Sequence, residues 1–143
     1  MAKLIFVNLP VNDLARATNF YEACGATRDE RFSDGTASCM VLSETIFVML
    51  LTHEKYAQFT TKRIVDARTE SEALLCLSAD SRADVDAQIA GALAAGGSAD
   101  PTPKQDWGFM YGRSYEDPDG HIWEIMWMDL EAAMAAQGGA PAG

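Results

Sequence analysis

The sequence predicts an α+β fold in which two tandem β-α-β-β-β modules form a curved mixed sheet around a cleft. The first observation that supports this prediction is a repeated order of apolar strands around one amphipathic helix. Residues 9–16 and 77–84 form the same strand-to-helix junction in the two copies. A tight turn at 117–120 then joins two strands near the end of the chain.

The chain of 143 residues suits one compact domain, and no long linker divides it. We expect this domain to span residues 1–128. Its modules are predicted at about residues 4–51 and 73–128, with a polar connector at 52–72 and a short helix followed by a disordered tail at 129–143.

The first module begins with a strand at 4–11, whose apolar and β-branched residues are typical of a buried strand. Asn12 and Asp13 can cap a helix at 14–24, and Gly25 is a natural residue to end it. Turn residues then separate three short strands, predicted at 27–32, 37–42 and 46–51.

The second module repeats this order. A strand at 73–79 is followed by a helix capped by Asp80 or Ser81. Its predicted buried stripe comprises Val85, Ile89, Ala92 and Leu93. The remaining strands are predicted near 98–100, 109–116 and 121–127, the terminal helix at 130–137 and the disordered tail at 138–143.

The turn at 117–120 makes Glu124 the first functional candidate. Pro118 and Gly120 favour a hairpin with a bulge, and in that register Ser114 lies opposite Glu124. Side chains alternate along a strand, so Trp123 should face the side of the sheet opposite to Glu124. A single carboxylate among so many apolar residues requires a metal, a cationic or hydrogen-bonding partner, or its own proton.

Composition excludes several classes of function. A formal charge of −10 without a basic stripe argues against nucleic-acid binding. No apolar run reaches the ~20 residues of a membrane helix, and no signal peptide is evident, so we expect a cytoplasmic protein. Cys24, Cys39 and Cys76 lack metal-type spacing and are interpreted as buried free thiols.

Two motifs resemble a known family. The run 117–120 followed by Glu124, and the run 11–14 leading into Phe20 and Tyr21, are similar to the hallmarks of the glyoxalase, bleomycin resistance and extradiol dioxygenase superfamily, the vicinal oxygen chelate fold. The resemblance covers about residues 4–128 and agrees with the repeat. The run 107–115 is similar to a bacterial subgroup called glyoxalase-like or lactoylglutathione lyase-like, a label that specifies no chemistry.

The resemblance implies where a metal would be bound. Metal-using members take ligands from the first and last strands of each module, and the matching positions here are Phe6, Met49, Leu74 and Glu124. Glu124 alone among them is a ligand for a hard or borderline divalent cation. We therefore expect a degenerate metal site and no cofactor, with a divalent metal disfavoured.

Apolar side chains at these positions predict a mostly apolar pocket for a small organic molecule. Its predicted contacts are Phe6, Asn8, Met49, Leu74, Cys76, Ser114 and Glu124. Connector residues Tyr56 and Phe59, with Lys62, Arg63 and Arg68, could close over it, although such a run is more often a solvated loop.

Three interpretations remain open for Glu124. It could serve a binding protein that sequesters a small ligand, as metal-free members of the family do in a crevice formed with a second chain. It could be the general acid or base of an enzyme of the lyase or isomerase type, with or without assistance from a metal, and with Asn8 or Ser114 stabilising an oxyanion. It could also be a buried support of the sheet, bonded to Asn8 and Ser114 or to Arg113. The resemblance further implies a homodimer.

Overall fold

The computed structural model describes residues 2–138 and contains the two predicted modules. In the first, the predicted helix and three of the predicted strands lie close to their expected positions. Its elements are β1 (Ile5–Val11), α1 (Leu14–Ala23), β2 (Thr27–Arg28), β3 (Ala37–Val41) and β4 (Ile46–Thr52).

The second module repeats the first with one added strand. A short helix, α2 (His53–Tyr56), begins the connector. The module comprises β5 (Leu75–Ser78), α3 (Arg82–Ala94), β6 (Ser98–Ala99), β7 (Gln105–Asp106), β8 (Met110–Glu116) and β9 (Ile122–Met128). Helix α4 (Leu130–Gly138) follows it and takes in Gly138, the first residue of the predicted disordered tail. The rest of that tail, 139–143, lies outside the described residues.

Strand pairing confirms the predicted α+β fold, as two mixed sheets. The first sheet has the order β1-β4-β3-β2, and the second has the order β5-β9-β8-β6 with β7 on β8. In each sheet the first strand of the module is parallel to the last, so β1 and β5 are equivalent. Within residues 2–138, none of the helices has the length and apolar content needed to cross a membrane.

Local side-chain bonds shorten one strand. Strand β2 ends at Arg28 because the carboxylate of Asp29 accepts the backbone N–H of Arg31 and begins a 3-10 turn at Glu30–Phe32. This is the competition between short polar side chains and regular backbone pairing. The predicted strand at 27–32 is therefore wrong over residues 29–32.

Helix α3 begins and packs largely as expected. The Ser81 side chain accepts the backbone N–H of Asp84 and caps the helix. Val85, Ile89 and Ala92 are buried, but Leu93 is 56% exposed, so its place in the buried stripe was wrong.

The two modules share one core on the helix side of their sheets. Phe20 and Tyr21 of α1 pack against Tyr115 and Trp123 of the second module. The Tyr21 hydroxyl donates to Asp117 at 2.6 Å and accepts from the indole N–H of Trp123 at 2.9 Å. These bonds hold α1 against the β8–β9 hairpin. They also give the buried hydroxyl, carboxylate and indole N–H the hydrogen-bond partners that buried polar groups require.

Candidate functional site

The predicted site residues lie on the sheet faces that point away from the helices. Alternation along β1 sends Leu9 and Val11 into the core and leaves Phe6 and Asn8 exposed. The same alternation on β9 buries Trp123 and Ile125 and places Glu124 on the outer face. The predicted separation of Trp123 from Glu124 is therefore confirmed.

The outer face of the first sheet is aromatic and apolar. Phe6 is 50% exposed and stacks on Phe47 of β4, with ring centroids 4.8 Å apart. Asn8 lies beside Met49 in the parallel register of β1 and β4. Three of the predicted contacts, Phe6, Asn8 and Met49, thus form one continuous patch.

The outer face of the second sheet places Glu124 between two predicted neighbours. Cys76 of β5 is in register with Glu124 on one side, and Ser114 of β8 is opposite Glu124 on the other. The hairpin bulge predicted from the turn is present, with Gly120 at φ +95°. Leu74, just before β5, is 53% exposed on the flank of this patch.

The side chain of Ser114 is engaged elsewhere. It is fully buried, and its hydroxyl oxygen accepts the backbone N–H of Thr102 at 3.1 Å and lies 2.7 Å from the Thr102 hydroxyl. Ser114 therefore holds the segment after β6 in place and does not face the open side as a ligand contact.

The structure also contradicts the interpretation of Glu124 as a buried support of the sheet, bonded to Asn8 and Ser114 or to Arg113. Arg113 forms ion pairs with Asp86 at 2.9 Å and with Asp100 at 2.8 Å, on the opposite face. Within the described part of the chain, the half-buried Glu124 carboxylate has no hydrogen bond or ion pair. It is an available acceptor on an apolar surface.

The thiols differ from the expected buried set. Cys39 is buried and Cys24 is half-buried, but Cys76 is exposed. Partial desolvation and, secondarily, the charge of Glu124 raise the pKa of the Cys76 thiol. Cys76 is thus held in its protonated form, which is a poor nucleophile.

Among the described residues, the cavity that Asn8 lines does not include Glu124. A cavity of about 620 Å³ lies between β1, the connector and the start of β9. Of the predicted contacts, Asn8 lines it, together with the connector side chains Tyr56, Lys62 and Arg63. The sequence had indicated that these connector residues could cover a pocket, whereas Phe59 is 70% exposed and does not line this cavity.

The residues present do not fit a divalent metal. The family's ligand positions offer one carboxylate, two hydrocarbon side chains and a thioether, which is a soft and weak donor. Within residues 2–138, no group of three or more His, Cys, Asp or Glu side chains is placed to hold a metal ion.

A family model described as the Glyoxalase/Bleomycin resistance protein/Dioxygenase superfamily matches residues 3–125. A hypothetical protein from S. aureus is 20% identical with a TM-score of 0.73, covering 89% of this chain and 94% of its own. A family enzyme from Burkholderia phytofirmans is 22% identical with a TM-score of 0.71, covering 90% and 100%. The fosfomycin resistance protein FosX from Mesorhizobium loti is 18% identical with a TM-score of 0.66, covering 94% and 98%. No curated protein sequence matches the chain.

Proposed function

Since the chain belongs to the glyoxalase/bleomycin resistance protein/dioxygenase superfamily, we propose that it binds a small, mostly apolar organic molecule without a metal. The observation that carries this proposal is the carboxylate of Glu124, which has no hydrogen bond or ion pair to residues 2–138 and lies on an otherwise apolar sheet face. Ile122 and Met126 flank it on β9, and Cys76 lies beside it on β5. Apolar walls around a few polar groups are the usual composition of small-molecule sites.

A second copy of the chain would complete the site. The helix-side faces of both sheets already pack in the shared core. The outer faces, where Phe6 and Leu74 are exposed, therefore remain available for contact with a second copy. In a twofold dimer, the first-module patch of one copy can face the second-module patch of the other, and the reverse. The cleft would then place Phe6, Asn8 and Met49 opposite Glu124.

Charge indicates the kind of guest. The chain carries a formal charge of −10, and the carboxylate of Glu124 can accept hydrogen bonds from a ligand but cannot donate one when ionised. A neutral or cationic molecule with one hydrogen-bond donor is favoured over an anion. The flexible side chain of Met126, beside Glu124 on β9, can adapt to the apolar part of a ligand with an irregular shape.

The second candidate function is an enzyme of the lyase or isomerase type. It is favoured by the same carboxylate, because a general acid or base must not be committed to a structural bond. Asn8 of the partner copy would then be available to stabilise an oxyanion, whereas Ser114 is bonded to Thr102.

Glu124→Gln tests the binding role. We expect the affinity for a ligand identified by native mass spectrometry to fall about tenfold or more, since a charge-assisted hydrogen bond is lost. The melting temperature should stay unchanged or rise, because the Glu124 carboxylate makes no hydrogen bond or ion pair within the described part of the chain. Glu131→Gln, an exposed site on α4 with the same charge change, is the control. A strongly destabilised variant that retains its affinity would contradict this role.

The two candidate functions differ in the fate of the bound molecule. Recovery of the molecule unchanged after long incubation supports sequestration. Formation of a product that stops in Glu124→Gln supports catalysis. In either case, calorimetric titration with zinc or nickel should give no saturable heat, and stoichiometric binding would contradict metal independence.

A further inference from the structure

A second cavity lies between the two modules on the helix side of their sheets, whereas Glu124 is on an outer face. Its volume is about 260 Å³. The first module contributes the end of α1 and the β3–β4 turn, and the second contributes β5, α3 and β8. It shares no lining residue with the larger cavity beside the connector. We call it the intermodule cavity.

The walls of the intermodule cavity are largely apolar and carry no charge. Leu42, Ile46 and Leu77 provide hydrocarbon surface. The polar side chains are hydroxyls, a thiol and an amide, and the described residues that line the cavity include no Asp, Glu, Lys, Arg or His. A charged molecule would lose hydration here without gaining a counter-charge, so an uncharged one is favoured.

Tyr115 of β8 contributes an unsatisfied hydroxyl to this cavity. Its side chain lines the cavity, the residue is 5% exposed, and its hydroxyl has no hydrogen bond to residues 2–138. Among those residues, the fully enclosed side-chain polar atoms that lack a partner comprise Oδ2 of Asp119 alone. The Tyr115 hydroxyl is therefore not fully enclosed and opens onto the cavity. A nearly buried hydroxyl without a protein partner calls for one from a ligand.

The thiol of Cys24 lies near this hydroxyl and is also without a partner in the described part of the chain. Burial and, secondarily, the charge of Asp117 raise the pKa of Cys24 to about 11. Burial raises the pKa of Tyr115 as well, followed by the effects of Cys24 and Asp117. Both groups keep their protons at neutral pH, so the cavity presents an O–H donor and a weaker S–H donor together.

We propose that the intermodule cavity binds an uncharged molecule that carries a carbonyl group on a short hydrocarbon body, with the O–H of Tyr115 donating to the carbonyl oxygen. A carbonyl oxygen accepts two hydrogen bonds and donates none, which matches the two donors. A closed apolar cavity of about 150 Å³ is large enough for benzene, so this cavity has room for a six-membered ring with a substituent. The site is separate from Glu124 and independent of the function proposed for it.

The test is a titration of the full-length, ¹⁵N-labelled chain with cyclohexanone, followed by two-dimensional NMR. We expect saturable shifts of the Gly25, Leu42 and Gln88 amides, with a dissociation constant on the order of 1 mM because the probe is so small. Cyclohexylammonium chloride at equal concentration should give no saturable shift of these amides, since the cavity has no counter-charge. Equal shifts with the ammonium ion, or cyclohexanone shifts confined to Phe6 and Glu124 on the outer faces, would overturn the proposal.

Tyr115→Phe provides the second arm. It removes the donor and keeps the ring, so affinity for cyclohexanone should fall about three- to tenfold, as expected for the loss of one hydrogen bond. Tyr111→Phe makes the same change on the same strand, but Tyr111 does not line the cavity and its hydroxyl donates to Asp86 at 2.7 Å. This control should bind as the wild type does. Unchanged affinity in Tyr115→Phe, or equal losses in the two variants, would refute the assignment. If Tyr115→Phe does not fold, the comparison of ketone and ammonium ion on the wild-type chain decides alone.

Discussion

Asp117 links the two modules through a single buried carboxylate. Its Oδ1 accepts the backbone N–H groups of Asp119 at 3.0 Å and of His121 at 2.8 Å, which shapes the β8–β9 turn. Its Oδ2 accepts the hydroxyl of Tyr21 from α1. The residue therefore fixes the turn and docks it on the first module.

Tyr21→Phe should lower the free energy of unfolding by about 1–3 kcal/mol, since both Asp117 and the Trp123 indole would lose a buried partner. In a domain of this size the melting temperature should fall by several degrees. Thermal unfolding followed by circular dichroism measures the change. Tyr115→Phe is the control, because Tyr115 is equally buried and its hydroxyl makes no hydrogen bond to the described residues. Equal losses in the two variants would show that the hydroxyl network is not the cause.

Burial raises the pKa of Asp117 above its usual value of about 4, against the opposing effect of His121 and of the Tyr21 hydrogen bond. Between the usual and the raised pKa, the folded state holds more protons than the unfolded state. The contribution of Asp117 to stability is therefore complete at low pH and is lost as pH rises through the raised pKa.

Asp117→Asn isolates this contribution from that of the other acids. The free energy of unfolding of the wild type minus that of the variant, measured in urea, should decrease as pH rises from about 4 to about 7. A difference that is constant or increases over this range would contradict the raised pKa.

At the scale of elements, the connector is held against the β8–β9 hairpin at Gly120. A Cβ atom at this position would lie 2.7 Å from the backbone nitrogen of Arg68 and 2.8 Å from the carbonyl of Ala67. The positive φ of Gly120 suits the bulge, and the missing side chain lets the connector approach.

Gly120→Ala should cost clearly more stability than Gly25→Ala, by about 1–3 kcal/mol. Both glycines have φ near +100°, so the backbone strain of the two substitutions is similar. Gly25 has open space where a Cβ would stand, so the difference measures the connector contact. Urea unfolding of both variants checks it. Similar losses would mean that the connector moves aside easily.

At the scale of the whole molecule, the fold leaves apolar surface on the outer faces of both sheets. Phe6 of β1, Leu4 just before that strand and Leu74 just before β5 are each half exposed or more. Adjacent exposed residues of this kind are typical of interaction surfaces. Pairing of two copies would cover them and enclose Glu124.

Phe6→Lys should convert the proposed dimer to a monomer, because two charges would enter one twofold interface. Size-exclusion chromatography with light scattering at micromolar concentration measures the mass. Phe32→Lys is the control, since Phe32 is also exposed but follows β2, at the edge of the first sheet opposite to β1. A monomeric wild-type chain would refute a cleft formed between copies.

The sequence by itself determined the repeated element order, the family motifs, and the bulged hairpin that sets Ser114 opposite Glu124. These features depend on neighbours in the chain: strand alternation has a period of two, and Pro118 and Gly120 restrict their own dihedral angles. It also placed Trp123 and Glu124 on opposite faces correctly. Local signals failed where a local bond competed with pairing, as at Asp29.

Only the tertiary structure decided which of these residues remain free. The sequence indicated Ser114 and Arg113 as partners for Glu124. In the structure, Ser114 is hydrogen-bonded to Thr102 and Arg113 is paired with Asp100. It also could not show that the connector packs on Gly120, or that Oδ2 of Asp119 is buried without a donor among residues 2–138. Such outcomes depend on distances between groups far apart in the chain, and these are set by packing rather than by periodicity.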